Sequence, residues 1–248
     1  MRQLSTFIAI IAAFLINLWA NLAPPNGKTI GELSNTVFSE VLIIPANYAF
    51  AIWGLIYLSL IGLAIYQALP SQRHNIHFEQ IGYLLVVSSV AQIAWIFLFG
   101  YELILLSLIA MIIIWLPLLI IYLRLGIAYR AVSRQNRWFI HHPISIYLSW
   151  ISVATIINFA VTLYKLNWGG WGLNATTWTM IMLAIATMIA ITANLLRNDT
   201  AFMLVILWAL VAIAARHGDK LLVISTAGGL AIILLILLLL NMLRSEPG

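Results

Sequence analysis

The sequence predicts an all-α transmembrane protein of eight spanning helices, and three observations carry that expectation. Hydrophobic residues fill 64% of the 248 positions and charged residues only 8%. A soluble domain carries about 25% charged residues, so lipid must act as the solvent for much of this chain. Apolar runs of the length a bilayer core needs, about 20 residues, recur from end to end. The strict apolar–polar alternation of a membrane β-barrel is absent.

The first span, 4–22, follows Arg2 and stays apolar through Leu18, Trp19 and Leu22. A charged start before an apolar stretch is also the pattern of a signal peptide. No Ala-x-Ala site follows, so the segment is read as a retained first helix. The 23–46 loop holds Pro24, Pro25, Gly27 and Gly31 with an apolar patch at 41–44. It is too long for a simple turn and reads as a folded cap. The second span is 47–69. The third (81–99) and fourth (102–123) are joined by a tight turn at Gly100–Glu102, and Pro117 is expected to kink the fourth. The fifth, 143–164, begins at Pro143, where proline is tolerated. The segment Trp168-Gly169-Gly170-Trp171-Gly172 breaks the helix, and its tryptophans suit an interfacial belt. The sixth span is 175–195 and the eighth 221–243. The seventh, 200–215, is short: at about 1.5 Å per residue it barely crosses about 30 Å.

Charge orients the bundle. The net charge of +5 and pI near 9.7 could suggest nucleic acid in a soluble protein, but here the basic residues sit mainly in short loops and no nucleic-acid partner is expected. With eight spans, one side holds Arg2, Arg73, Arg124, Arg130, Arg134, Arg137, Arg197 and Arg244, and the other holds Lys28, Lys165, Arg216 and Lys220. Eight against four places both termini in the cytoplasm by the positive-inside rule, with the plasma (inner) membrane as the expected location.

Several chemistries lose their carriers. The absence of cysteine removes thiolate nucleophiles, disulfides and thiolate metal sites. His74, His77, His141, His142 and His217 lie in loops or at helix mouths, in no metal-binding spacing. Glu32, Glu40, Glu79, Glu102, Asp199, Asp219 and Glu246 fall in loops or at helix ends, which disfavours an ion-coupled pump. No lysine sits in mid-helix for a retinal Schiff base, and no phosphate loop, serine elbow or zinc helix occurs. No catalytic residue and no obligatory cofactor is therefore assigned.

What remains is a set of helical stripes. Trp53 and Tyr57 share one face of the second span. Ser88, Gln92, Trp95 and Phe99 form a stripe on the third, and Tyr147, Trp150, Ala154 and Asn158 form one on the fifth. Trp53, Gln92, Trp95 and Asn158 fall in one layer, roughly 6–11 Å below the boundary away from the termini; Trp150 lies nearer the other half. Aromatic belts and helix-gluing amides explain such residues singly. Taken together, aromatic walls with two costly amides describe a pocket for a flat apolar ligand with polar edges.

These stripes resemble the translocator protein or tryptophan-rich sensory protein (TspO/MBR) family. Tyr147-x-x-Trp150-x-x-x-Ala154-x-x-x-Asn158 is similar to the family's fifth-helix pattern. Gln92-x-x-Trp95 followed by Phe99-Gly100 is similar to its third-helix N-x-x-W and F-G. Pro45 to Tyr57 is similar to the start of its second helix. The sequence departs from the pattern in having a single proline at Pro45, Tyr48 in place of tryptophan, Phe50 and Trp53 three apart, Gln92 for asparagine and Ile146 for proline. The resemblance covers roughly 1–168. It implies a five-helix TspO-like domain there and a three-helix extension over 169–248.

The resemblance also implies a pocket opening toward the first loop, for a tetrapyrrole such as protoporphyrin or haem. Pro45, Tyr48, Phe50, Trp53, Tyr57, Gln92, Trp95, Trp150, Ala154 and Asn158 become the expected ligand-binding residues. The expected partners are the bilayer and a small hydrophobic ligand, with a homodimer left open. A sensor or receptor is the leading expectation. A carrier of the same ligands and a structural, partner-binding membrane protein are the alternatives. Tryptophan-dependent photochemical breakdown of porphyrin enters by resemblance alone, and enzyme activity is not expected.

Overall fold

A computed structural model describes residues 2–218 and 220–244; Asp219 and Glu246 lie outside the described residues. Everything regular among them is helical. Helix α1 (Arg2–Leu22) is followed by a short α2 (Ile30–Thr36), a 3₁₀ turn Asn47–Ala51 that leads into α3 (Ile52–Ala68), and a short α4 (Ile76–Ile81). Then come α5 (Leu84–Gly100), α6 (Ile104–Leu125), the single turn α7 (Arg134–Asn136), a π-helical turn Arg137–His141 and α8 (His142–Lys165). Helices α9 (Ala175–Arg197), α10 (Thr200–Arg216) and α11 (Leu221–Arg244) complete the chain. Among the described residues six segments are long and apolar enough to cross a membrane; α5 and α10 are shorter apolar helices. Their 17 residues each span about 25 Å.

Two helix starts differ from the expectation. The third span does not begin at residue 81. Gly82 takes φ 57° and ψ −132°, a conformation comfortable only for glycine, which ends α4 and lets α5 begin two residues later. The fifth span does not begin at Pro143, because helical backbone runs without a break from Arg134 to Lys165. A proline inside a helix removes one hydrogen bond and crowds the carbonyl four residues back. The π turn just before Pro143 widens the backbone where that conflict arises. Pro117 lies within a single assigned helix, α6, and Ser88 Oγ donates to the neighbouring Ile114 carbonyl at 3.2 Å.

Helix α8 is the hub. The continuous span that contains it is the most deeply buried of the long apolar helices, and α11 at the rim is the least. It packs on α6, α3 and α10, while α1 lies against α3 and α5, and α9 and α11 flank α10. Ala227 and Ala231 on α11 are both buried in its packing against α9 and α10, where small residues allow close helix approach. One continuous apolar core runs from Ile10 through Leu234, so α9–α11 share the core of the first five spans.

Polar anchors tie the chain at both ends of the bundle. At the terminus-bearing end, Gln3 donates to the Gln67 carbonyl at 3.0 Å, and Asn136 accepts from Tyr66 and Asn75. Asp199 sits at a helix end as expected, yet it is buried there. It caps α10 through the Phe202 N–H and accepts from Tyr122 Oη at 2.8 Å and Ser145 Oγ at 2.6 Å, pinning α10 to α6 and α8. At the opposite end Lys165 pairs with Glu102 at 2.9 Å across the α5–α6 turn, and Asn26 donates to the Gly100 carbonyl.

Candidate functional site

The 23–46 segment is a folded cap whose centre is α2. Its start is a capping box: Thr29 Oγ1 accepts from Glu32 N–H, and the Glu32 carboxylate takes the Thr29 N–H at 2.8 Å. The Thr29 backbone N–H and hydroxyl hold the Glu32 carboxyl below the usual carboxylate range. Gly31 follows because a Cβ there would collide with the Asn47 side chain. That close approach seats α2 on the 3₁₀ turn and puts Ile30 and Ser34 over the aromatic residues of α3, α5 and α8.

Beneath the cap the expected residues converge. Trp53 is the centre of the ring cluster: its ring lies 5.8 Å from Tyr57, 6.5 Å from Trp95 and 6.2 Å from Tyr147. Trp95 stacks on Phe99 at 5.2 Å, and Phe50 meets Trp150 edge-on at 6.2 Å. Helix register set Trp150 nearer the other half, yet its ring borders the same cavity as Asn158. Asn158 Oδ1 accepts from Trp95 Nε1 at 2.8 Å, and its Nδ2 donates to Ser107 Oγ at 3.1 Å, so one amide locks α8 to α5 and α6. Phe50, Trp53, Trp95, Trp150, Ala154 and Asn158 line a common cavity with Phe99 and Ile157.

Four expected residues do not line this cavity: Tyr57, which touches Trp53, Gln92, buried on α5 one turn before Trp95, and Tyr48 and Pro45, which stand apart. Tyr48 is 47% exposed and packs on Trp208 of α10, at 5.3 Å. It faces outward because it sits on the exposed side of the 3₁₀ turn whose Ala49 is fully buried. Pro45 is buried in the cap, where its carbonyl accepts from Asn35 Nδ2. Ser107 and the cap residues Ile30 and Ser34 are additions. A serine three residues into an apolar helix gives no periodic signal, and the cap residues reach the cavity only through its fold.

The cavity is small, about 30 Å³. That admits about two waters, far below the roughly 300–1,000 Å³ of a ligand pocket. The aromatic rings themselves fill the space where a hollow was expected. Four buried polar atoms of the expected site residues have no hydrogen-bond partner: Tyr57 Oη, both amide atoms of Gln92, and Trp150 Nε1; of these three residues Trp150 lines the cavity. They come from α3, α5 and α8, and Gln92 is only 1% exposed.

Helices α9–α11 reach back to the cap. Arg216, at the end of α10, donates to the carbonyls of Ser39, Val41 and Ile44 at 3.0–3.2 Å. Ala46 N–H bonds the Ala212 carbonyl at 3.0 Å, and Trp208 Nε1 donates to the Ala49 carbonyl at 3.2 Å. The backbone on the far side of the cap is thereby fastened to α10.

No curated protein and no solved structure gives a significant match to this chain. The sequence profile described as "TSPO-like protein" matches residues 3–240, from α1 into α11 and so across the three C-terminal helices as well as the first five spans. With its apolar helices and this near-complete match, the chain is an integral, multi-pass membrane protein that belongs to the TSPO-like protein family.

Proposed function

We propose that this protein is a membrane sensor or receptor for a flat apolar ligand with polar edges, of the porphyrin or tetrapyrrole class, taken up at the Trp53 ring cluster when the cap moves aside. The observation that carries this reading is the set of unpartnered atoms on Tyr57, Gln92 and Trp150. Each such buried group costs about 1–3 kcal/mol. Orphaned atoms also occur on His77 and His141 away from the cluster, but those of Tyr57, Gln92 and Trp150 gather on three helices beside the rings, and we read them as donors and an acceptor for a ligand edge. Three donor groups (a phenol, an amide and an indole) and one carbonyl suit a ligand edge that bears both N–H and oxygen atoms. The rings of Trp53, Trp95 and Trp150 suit its flat face.

The residues lining the cluster include no imidazole or thioether, so they fit a metal-free macrocycle such as protoporphyrin better than haem. No acid–base pair lines it either, and binding, not turnover, is the role we assign. Eight arginines on the terminus-bearing side, against four basic residues opposite, support cytoplasmic termini in an inner membrane and a cap on the outer face.

Titration of the purified protein with protoporphyrin, read by intrinsic tryptophan fluorescence, tests the proposal. Saturable quenching is expected, with affinity reduced about tenfold or more in Trp53→Ala and Trp95→Ala by loss of ring stacking. Saturable quenching of unchanged affinity in both variants would place the ligand elsewhere.

A further inference from the structure

A second cavity lies on the outside of the bundle, between α6 and α9, with α8 as its floor. It encloses about 450 Å³ and does not touch the Trp53 cluster. Along most of its length the wall is apolar, including Trp115, Leu119, Ile185 and Ile189. One end is different. Tyr122 and Arg197 close it at the terminus-bearing face; Arg124, in the last turn of α6, lies outside the lining at the same membrane face.

The chemistry of that end is cationic. The Arg197 guanidinium lies over the Tyr122 ring, 5.1 Å from its centroid, and gives one hydrogen bond to the Ile127 carbonyl at 3.2 Å. A guanidinium has five N–H donors in a planar fork, so further donors remain. Among the described residues neither Arg124 nor Arg197 has a carboxylate within 4.0 Å. Asp199 meets Tyr122 at its phenol hydroxyl, and it is committed to Ser145 and the Phe202 N–H.

We propose that this cleft is a binding site for an anionic phospholipid of the leaflet on the terminus-bearing side. One acyl chain lies along α6, α8 and α9, and the phosphate sits on Arg197 at the terminus-bearing rim. A lipid-facing apolar groove takes an acyl chain, which matches its walls and length. A guanidinium held at the hydrocarbon edge gains from an oxyanion that meets two of its N–H groups at once. Arg197 at the mouth, with Arg124 adding positive charge at the same membrane face and no carboxylate ion-paired to either among the described residues, favours a headgroup of net negative charge over a zwitterion, whose ammonium cancels most of the attraction. The site is independent of the tetrapyrrole reading, because it shares no lining residue with the Trp53 cluster.

Trp115 is a built-in reporter. Its ring lines the cleft and its Nε1 donates to Ser152 Oγ at 3.0 Å. The full chain would be reconstituted in phosphatidylcholine bilayers containing a small fraction of brominated-chain phosphatidylglycerol or brominated-chain phosphatidylcholine. The Trp115 contribution is the difference between wild type and Trp115→Phe. Phosphatidylglycerol is expected to occupy the cleft about tenfold better than phosphatidylcholine. The preference should fall close to unity in Arg124→Gln/Arg197→Gln. Thr192→Phe, an exposed position on the cleft wall remote from both charges' partners, should lower Trp115 quenching by either lipid. Equal quenching by the two lipids in wild type overturns the proposal. So does a preference that survives loss of both arginines, or quenching untouched by Thr192→Phe.

Discussion

Gln92 buries a carboxamide that the fold leaves without a hydrogen bond, and two opposite consequences follow from that single side chain. Leucine has nearly the same volume and no polar atoms, so Gln92→Leu should raise stability by about 1–3 kcal/mol, the cost of the orphaned group. The same change should weaken protoporphyrin binding about tenfold or more, because it removes both an acceptor and a donor from the site. Thermal unfolding and fluorescence titration on one preparation check both signs; a variant that loses stability and keeps its affinity would make Gln92 purely architectural. Asn158 is the contrasting amide. Its bonds to Trp95 and Ser107 are made, so Asn158→Leu should destabilise the bundle by about 1–3 kcal/mol. Most of these residues were legible in the sequence, because ring and amide positions at helical spacing mark an inward stripe. Tyr48 was not, since its direction is set by a 3₁₀ turn, and the fullness of the cavity was not, since side-chain packing leaves no trace in spacing.

At the scale of elements, the eight apolar helices could be read from run length, and the cap from its proline and glycine content. Their junctions could not. Gly82 and the π turn before Pro143 are local backbone solutions to conflicts that a hydropathy run passes over. The reach of α10 was equally hidden, because a single arginine at a helix end looks like an interfacial charge. Arg216 instead holds three carbonyls of the cap. Arg216→Ala should therefore speed amide hydrogen exchange across residues 38–46 by about tenfold or more, with little change in the exchange of α5 or α6. Uniform acceleration throughout would mean that Arg216 supports the whole bundle and not the cap.

For the whole molecule, the topology makes a sharp prediction because the chain has no cysteine of its own. Ser71→Cys, between α3 and α4, and Ser39→Cys, in the cap, should react with an impermeant maleimide from opposite sides of the membrane. In cells the outer reagent should reach position 39 and not 71; the reverse pattern would invert the charge-based orientation. The soft boundary drawn near residue 168 lies in the glycine-rich loop before α9, while the core and the family match continue through it. The hydrogen bonds from Arg216 to the cap join positions 172–177 residues apart, which bears on how the protein is made. At about 5–20 residues per second, roughly 9–35 s pass between synthesis of the strap near residue 40 and arrival of the guanidinium that fastens it. Through that interval the backbone of the cap lacks the three hydrogen bonds that fasten it in the finished protein.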